Sequence, residues 1–322
     1  MKKLLTLLMV FPIACLVGVK AAASISGFVS ISGFLQSADP LVVVSSLAGS
    51  MAVAAFVLGV ITDEYSWADR LWSTAPVLFS WVYAIRSGLD LRVLVVVILV
   101  SVWGVRLTFN FARRGGYTSA EDYRWPILRQ RINNALLWQL FNLCFICVAQ
   151  IGLMVLFTAP VYLLAGIPSE PPSMLFLLGC LTFIVFLVLE SVADQQQWEF
   201  QRAKHGFTPA GSEQRYYDAI QDGFRSSGLF RYSRHPAYFG ELMIWWTVFF
   251  LAAGSAGQFL HWSGVGAIVL TALFAGSTRF TESITASRYP AYAAYQQTTS
   301  AIIPWFRSRA ESSEPDRRRA QG

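Results

Sequence analysis

Long apolar runs separated by short polar segments set the plan of this chain. A helix needs roughly 17–25 apolar residues to cross a bilayer. Eight runs approach or reach that length, at about 4–22, 41–61, 72–87, 91–112, 137–165, 173–193, 238–256 and 261–279. The run at 72–87 is the short one. The pattern predicts an all-α, multi-pass transmembrane helical bundle of about eight spans. The first run has a second reading. Lys2, Lys3, an apolar stretch and Ala21 to Ala23 also fit a secretory signal, and cleavage there leaves seven spans.

Composition agrees with this plan. Of 322 residues, 55% are hydrophobic and only 14% charged, against about 25% charged in soluble proteins. Mean hydropathy is +0.48. The net charge of +6 is unevenly spread. Arg113, Arg114, Arg124, Arg129 and Arg131 fill the loop at 113–136. Arg202, Lys204, Arg215, Arg225, Arg231 and Arg234 fill the loop at 194–237. Segments 23–40, 166–172 and 257–260 hold no Lys or Arg. Positive loops stay cytoplasmic, so eight spans place both termini in the cytoplasm. The expected location is a bacterial inner membrane or the endoplasmic reticulum, with membrane lipids as neighbours. Topology explains the charge, and nucleic acid is not an expected partner. No GxGxxG follows a strand and no P-loop occurs, which excludes a soluble nucleotide-binding domain. Cys144 and Cys147 form a CxxC inside an apolar run, with no second pair and no His cluster, so no metal site is expected. The organisation read from this is N-terminal transmembrane helices over 1–60, a membrane domain over 61–306 and a disordered charged tail over 307–322.

Five polar constellations interrupt the apolar pattern. In "LFRYSRHPAYFGELMIWW" (229–246), Pro236 suits a first helical turn. Tyr238, Glu241 and Trp245 then share a face. Glu241 lies about 7 Å below the helix start, where a carboxylate is costly unless paired or facing something polar. Arg231, Arg234 and His235 stand just above it, so this stretch reads either as a structural ion pair or as a pocket wall for an anionic ligand. In "LVLESVADQQQWEFQ" (187–201), Glu190 and Asp194 are four apart on one face. In "GVRLTFNFARRGGYTSAEDYRW" (104–125), Arg106 and Asn110 are again four apart. Arg113, Arg114 and Arg124 have the guanidinium geometry to clamp phosphates. In "DEYSWADRLWSTAP" (63–76), Asp69 sits where the third run begins. In "RYPAYAAYQQTTSAIIPW" (288–305), Tyr292 and Tyr295 form either an interfacial aromatic belt or a platform for a ring.

The motifs "EDYRW", "ADQQQWEFQ", "GLFRYSRHPAYFGE" and "YPAYAAYQQTTSAIIPWF", in that order along the chain, resemble the steroid 5-alpha-reductase-like membrane proteins, and more narrowly their DUF1295 branch. The resemblance covers about residues 60 to 306. It implies a helical membrane fold holding NADPH in a cavity open to the cytosol. It also implies reduction of a carbon–carbon double bond conjugated to a carbonyl in a lipid-like or steroid-like substrate. Carried over by position, Tyr232 and Glu241 lie along the cofactor, Asp194 near the nucleotide, and Arg106 in span four. Asp69 matches a substrate-facing acid. Catalytic roles therefore fall to Asp69 and Glu241. Cofactor contacts fall to Arg106, Asn110, Arg113, Arg114, Arg124, Glu190, Asp194, Tyr232, Arg234, His235, Tyr238, Glu241, Tyr292 and Tyr295. Three positions depart from the reductase pattern: Ala237 replaces an Asn, Glu190 replaces the Asn partner of Asp194, and Trp103 replaces a catalytic tyrosine. The competing expectation is an S-adenosylmethionine-dependent methyltransferase of the isoprenylcysteine type, which shares the "RHPxYxG" pattern. A transporter or lipid-binding scaffold is the non-enzymatic third, and inverted repeats, which favour it, are not found.

Overall fold

The structure is a computed structural model that describes residues 37–118, 121–207 and 212–307. The run at 4–22, with its signal-peptide alternative, and the tail beyond residue 307 lie outside the described residues. The helices are α1 (Pro40–Thr62), α2 (Trp67–Leu71), α3 (Ala75–Arg86), α4 (Leu91–Arg113), α5 (Arg124–Ile132), α6 (Ala135–Phe141), α7 (Gln150–Ala165), α8 (Met174–Lys204), α9 (Ser212–Asp222), α10 (Pro236–Ala256), α11 (Val265–Arg288) and α12 (Tyr292–Thr298). A π-helical stretch, Asn142–Ala149, joins α6 to α7. No strand occurs among the described residues.

Among the described residues, six stretches are long and apolar enough to cross a membrane: α1, α4, Ala135–Ala165, α8, α10 and Trp262–Arg288. Six of the eight expected runs thus become single spanning stretches. The run at 72–87 becomes α3, with 12 residues and a length of about 18 Å, short of a hydrocarbon core of about 30 Å. Its physical limit is Pro76 near the first position of α3. A proline ring clashes with the carbonyl four residues earlier, so the helix cannot extend back through Trp72. Tight i→i+3 bonds turn the chain there instead, from Trp72 N to Asp69 O and from Thr74 N to Leu71 O.

The chain divides into two compact units, Met1–Val185 with Ile244–Leu270, and Phe186–Met243 with Thr271–Gly322. Three helices, α8, α10 and α11, contribute one part to each. Along α8, Phe176, Cys180, Phe183, Leu187, Glu190 and Asp194 are buried at alternating steps of four and three. Leu177, Leu178, Leu181, Ile184, Val185 and Val188 are exposed on the opposite side. That second stripe is the lipid face of a spanning helix, and the two acids belong to the inward seam.

The first unit is held by aromatic packing and close helix approach. Asp39 and Asp90 cap α1 and α4 by accepting from Leu41 N (2.7 Å) and Arg92 N (3.0 Å). Trp245 meets Trp103 edge-on at 5.0 Å and Phe157 at 4.2 Å. Gly104 lets α4 lie against the start of α3: a Cβ there would sit 2.4 Å from Val77 Cγ2 and 2.7 Å from Ser73 O. Gly266 does the same for α11 against α7, where a Cβ would be 2.3 Å from the Leu156 backbone.

The second unit is smaller and more polar. Its apolar cluster is Phe200, Ala203, Tyr216 and Ala219, with Ile220 packed on it, so α9 lays one face along the end of α8. Two separate sequence motifs meet as backbone. Arg234 N donates to Ser300 O (2.8 Å), His235 N to Ala301 O (3.0 Å), and Trp305 N to Tyr232 O (2.9 Å). The "YSRHP" turn and the "SAIIPW" segment are therefore one structure.

Candidate functional site

In the second unit, α10 starts at Pro236 and runs tightly against α8. A Cβ on Gly240 would come 2.8 Å from Glu190 Cβ and 3.2 Å from Phe186 O. This contact forces glycine at 240 and puts Glu190 at the helix crossing. Glu190 is 3% exposed, and Glu241, the next residue after the glycine, is 4% exposed. Asp194, one turn beyond Glu190, is buried too. Three carboxylates are thus withdrawn from water on two packed helices. Each is costly there unless it is paired, hydrogen-bonded or turned to a polar ligand.

The start of α10 is anchored by a carboxylate that sequence reasoning passed over, Glu282 on α11. Arg234 grips it with two charge-assisted bonds, Nε to Oε1 (2.6 Å) and Nη2 to Oε2 (2.9 Å). His235 Nε2 lies 3.0 Å from Oε1. Gln296 Nε2 donates to Oε2 (2.8 Å), and the Tyr292 hydroxyl donates to Oε1 (3.3 Å). Arg234 Nη1 also donates to the carbonyls of Gln296 and Thr299. Burial opposes the Arg234 charge, but the Glu282 bonds and charge outweigh it and hold its pKa above the ordinary value. The anion met by Arg234 is thus part of the chain itself. Glu282 is the lone acid between residues 262 and 288. A carboxylate three residues past the last apolar run was the available signal.

Tyr292 and Tyr295 lie in the core and form no surface belt. They are 5% and 4% exposed. Phe224 stacks on Tyr295 at 5.2 Å and meets Tyr292 edge-on at 5.0 Å. The Tyr295 hydroxyl donates to Phe230 O. Burial pushes both phenols well above their usual pKa, with the Glu282 charge adding to it for each, so both stay hydroxyl donors. Tyr238 stacks on His235 at 5.1 Å and packs on Phe274 at 4.7 Å. Tyr232 is 41% exposed, with Phe306 beside it.

In the first unit, the loop before α5 folds onto α2. Trp125 Nε1 donates to Asp69 Oδ2 (2.7 Å). The Asp122 amide donates to Ser66 Oγ (2.8 Å), and Glu121 Oε1 accepts from Tyr65 N (2.7 Å). Burial, reinforced by the Asp122 charge, raises Asp69 to about 6 against the opposing pull of Arg124 and the Trp125 bond. Arg124 forks onto Asp122 (2.8 and 2.9 Å). Arg113 donates twice to Asn110 Oδ1 (3.0 and 2.8 Å). Asn110 is buried, Arg106 half-buried one turn before it, and Arg114 exposed. Trp103, where the reductase pattern has a tyrosine, is fully buried against Trp245.

No group of three or more His, Cys, Asp or Glu suited to a metal ion occurs among the described residues. The expected contacts thus fall into one set in each unit. Glu190, Asp194, Tyr232, Arg234, His235, Tyr238, Glu241, Tyr292 and Tyr295 belong to the second. Asp69, Arg106, Asn110, Arg113, Arg114 and Arg124 belong to the first.

Comparison with known proteins adds a family. Residues 55–299 match the family described as "Protein of unknown function (DUF1295)". An uncharacterized protein of Schizosaccharomyces pombe, C594.04c, is 31% identical over 290 residues, covering 87% of this chain and 84% of that one. No solved structure matches.

Proposed function

The chain belongs to the DUF1295 family, and on that premise we propose that it is a membrane reductase using NADPH to reduce a carbon–carbon double bond conjugated to a carbonyl in a lipid-like or steroid-like substrate. The observation that carries this reading is the burial of Glu190, Asp194 and Glu241 on two packed helices of the second unit. Carboxylates accept only, so such a set suits the ribose hydroxyls and carboxamide N–H groups of a nicotinamide nucleotide. NADPH, when bound, supplies the hydride. The protein's part is to orient the nucleotide and to polarise the substrate carbonyl. Glu241 is assigned to the nucleotide. The exposed apolar stripe of α8 is consistent with a substrate drawn from lipid.

The test is ligand-dependent melting of the purified full chain in mild detergent, with NADPH, NADH and S-adenosylmethionine compared at equal concentration. A ligand that binds only the folded state raises the melting temperature. NADPH is expected to give the largest rise, and enone lipids are then expected to consume its nicotinamide absorbance. A rise with S-adenosylmethionine and none with NADPH replaces the reductase by a methyltransferase.

A further inference from the structure

His235 and Glu282 carry an inference that deepens the NADPH reading and rests on it. Glu282 receives Arg234, Gln296 and Tyr292 as well as His235. With a guanidinium forked onto it, this carboxylate is an acceptor. The hydrogen shared with His235 therefore belongs to Nε2 of the imidazole. In a neutral ring that leaves the lone pair on Nδ1. Nδ1 has no hydrogen-bond partner among the described residues, and the His235 side chain keeps 19% exposure. Stacking on Tyr238 fixes the plane of the ring.

A second polar atom lies on the face of α11 that Tyr238 and His235 contact. Phe274, Thr278 and Glu282 recur every four residues and so share one face of α11. Phe274 packs on Tyr238 and Glu282 binds His235, which places Thr278 between these two contacts. Thr278 is 4% exposed, and its hydroxyl has no hydrogen-bond partner. A buried hydroxyl left so is uncommon in folded proteins.

We propose that Glu282 is a positioning residue that locks His235 in the Nε2–H tautomer, and that His235 Nδ1 and the Thr278 hydroxyl together receive an amide-like edge of the bound nucleotide. Nδ1 accepts from an N–H, and the hydroxyl donates to the neighbouring oxygen or ring nitrogen. NADPH has two such edges, the nicotinamide carboxamide and the aminopurine.

The chain has three histidines, so imidazole nitrogen NMR of histidine-labelled full chain in detergent micelles resolves them. His235→Asn identifies the signal by its loss. The parent at neutral pH is expected to show a hydrogen-free Nδ1 for His235 that moves on adding NADPH. Glu282→Gln removes the carboxylate and is expected to mix the tautomers. The parent spectrum stands on its own if that variant does not fold. Two analogues then locate the edge, the 3-acetylpyridine form, which lacks the carboxamide nitrogen, and the hypoxanthine form, which lacks the purine amine. One of them should leave the Nδ1 signal unmoved. A hydrogen on Nδ1 in the parent overturns the proposal. So does an NADPH-dependent rise in melting temperature with no movement of the His235 signal, or equal movement with both analogues. If NADPH neither moves this signal nor raises the melting temperature, the reductase reading fails. S-adenosylmethionine, which carries the same aminopurine edge, is then the probe: movement of the Nδ1 signal supports the acceptor role, and none overturns it.

Discussion

The two units hold themselves together differently. The first packs by shape: Trp103, Phe157 and Trp245 interlock, and Gly104 and Gly266 admit neighbouring backbone where no side chain fits. Its fully buried charges, Arg70 and Arg92, are cations. They are answered by Glu64 and Gly116 O, and by Pro168 O and Asp90. The second unit buries four carboxylates, Glu190, Asp194, Glu241 and Glu282, whereas in the first the enclosed Asp90 side chain lies beside Arg92. Apolar packing alone suffices for a bundle. A carboxylate inside a membrane protein needs something polar beside it, and the second unit meets that need for Glu282 with Arg234, His235, Tyr292 and Gln296.

The largest effect is expected at Glu282. Breaking a buried pair by removing one partner costs about 3–5 kcal/mol, so Arg234→Ala and Glu282→Ala should each lose stability of that order. The double variant should lose far less than the sum, because neither charge is stranded. Denaturant unfolding in detergent measures all three. Near-additive losses would show that this network is not what holds the second unit.

Next comes Glu241. One charge-assisted contact is worth about 1.5–3 kcal/mol, so Glu241→Gln should fold and show a clearly smaller NADPH-induced rise in melting temperature. An equal rise in parent and variant returns Glu241 to a structural role.

A pair of glycines on α11 sharpens the contrast between units. Gly266→Ala forces a methyl against the Leu156 backbone, whereas Gly276 has nothing within 4 Å. Overpacking costs about 1–3 kcal/mol, while alanine in an open helix position gains about 0.5–1 kcal/mol over glycine. The two variants should move the melting temperature in opposite directions, and a shared direction contradicts the packing described for the first unit.

The smallest effect concerns pH. Asp69 has a folded pKa of about 6 against an ordinary value of 3.8, so the folded protein holds this proton more tightly than the unfolded chain. Its contribution is most favourable below pH 3.8 and is lost as pH rises through about 6. Asp69→Asn, which does not titrate, should gain stability relative to the parent across that window and hold the gain above it. A difference that does not vary between pH 4 and pH 7 places the Asp69 titration elsewhere.

Much of the fold was legible because a bilayer imposes a simple rule on sequence. Of the eight apolar runs, six became spanning stretches among the described residues. The short run at 72–87 failed to become one for a reason the sequence also contained, the proline at 76. The candidate site was legible only in part. Glu241 and Glu190 stood out through their depth, and both are buried. Arg234 and His235 stood out in one motif and Tyr292 and Tyr295 in another, but their shared partner did not. Glu282 lies 48 residues from Arg234, and no local spacing connects them.

The sequence by itself determined the order of the six spanning stretches among the described residues, the shared face of Glu190 and Asp194, and the depth of Glu241. These follow from local periodicity and from the exclusion of charge from lipid. Tertiary structure alone decided that Arg234 and His235 meet Glu282 and that the "YSRHP" turn pairs with the "SAIIPW" segment. Hydrogen bonds of this kind depend on ångström-scale meetings between residues far apart in the chain, and only packing brings those residues together.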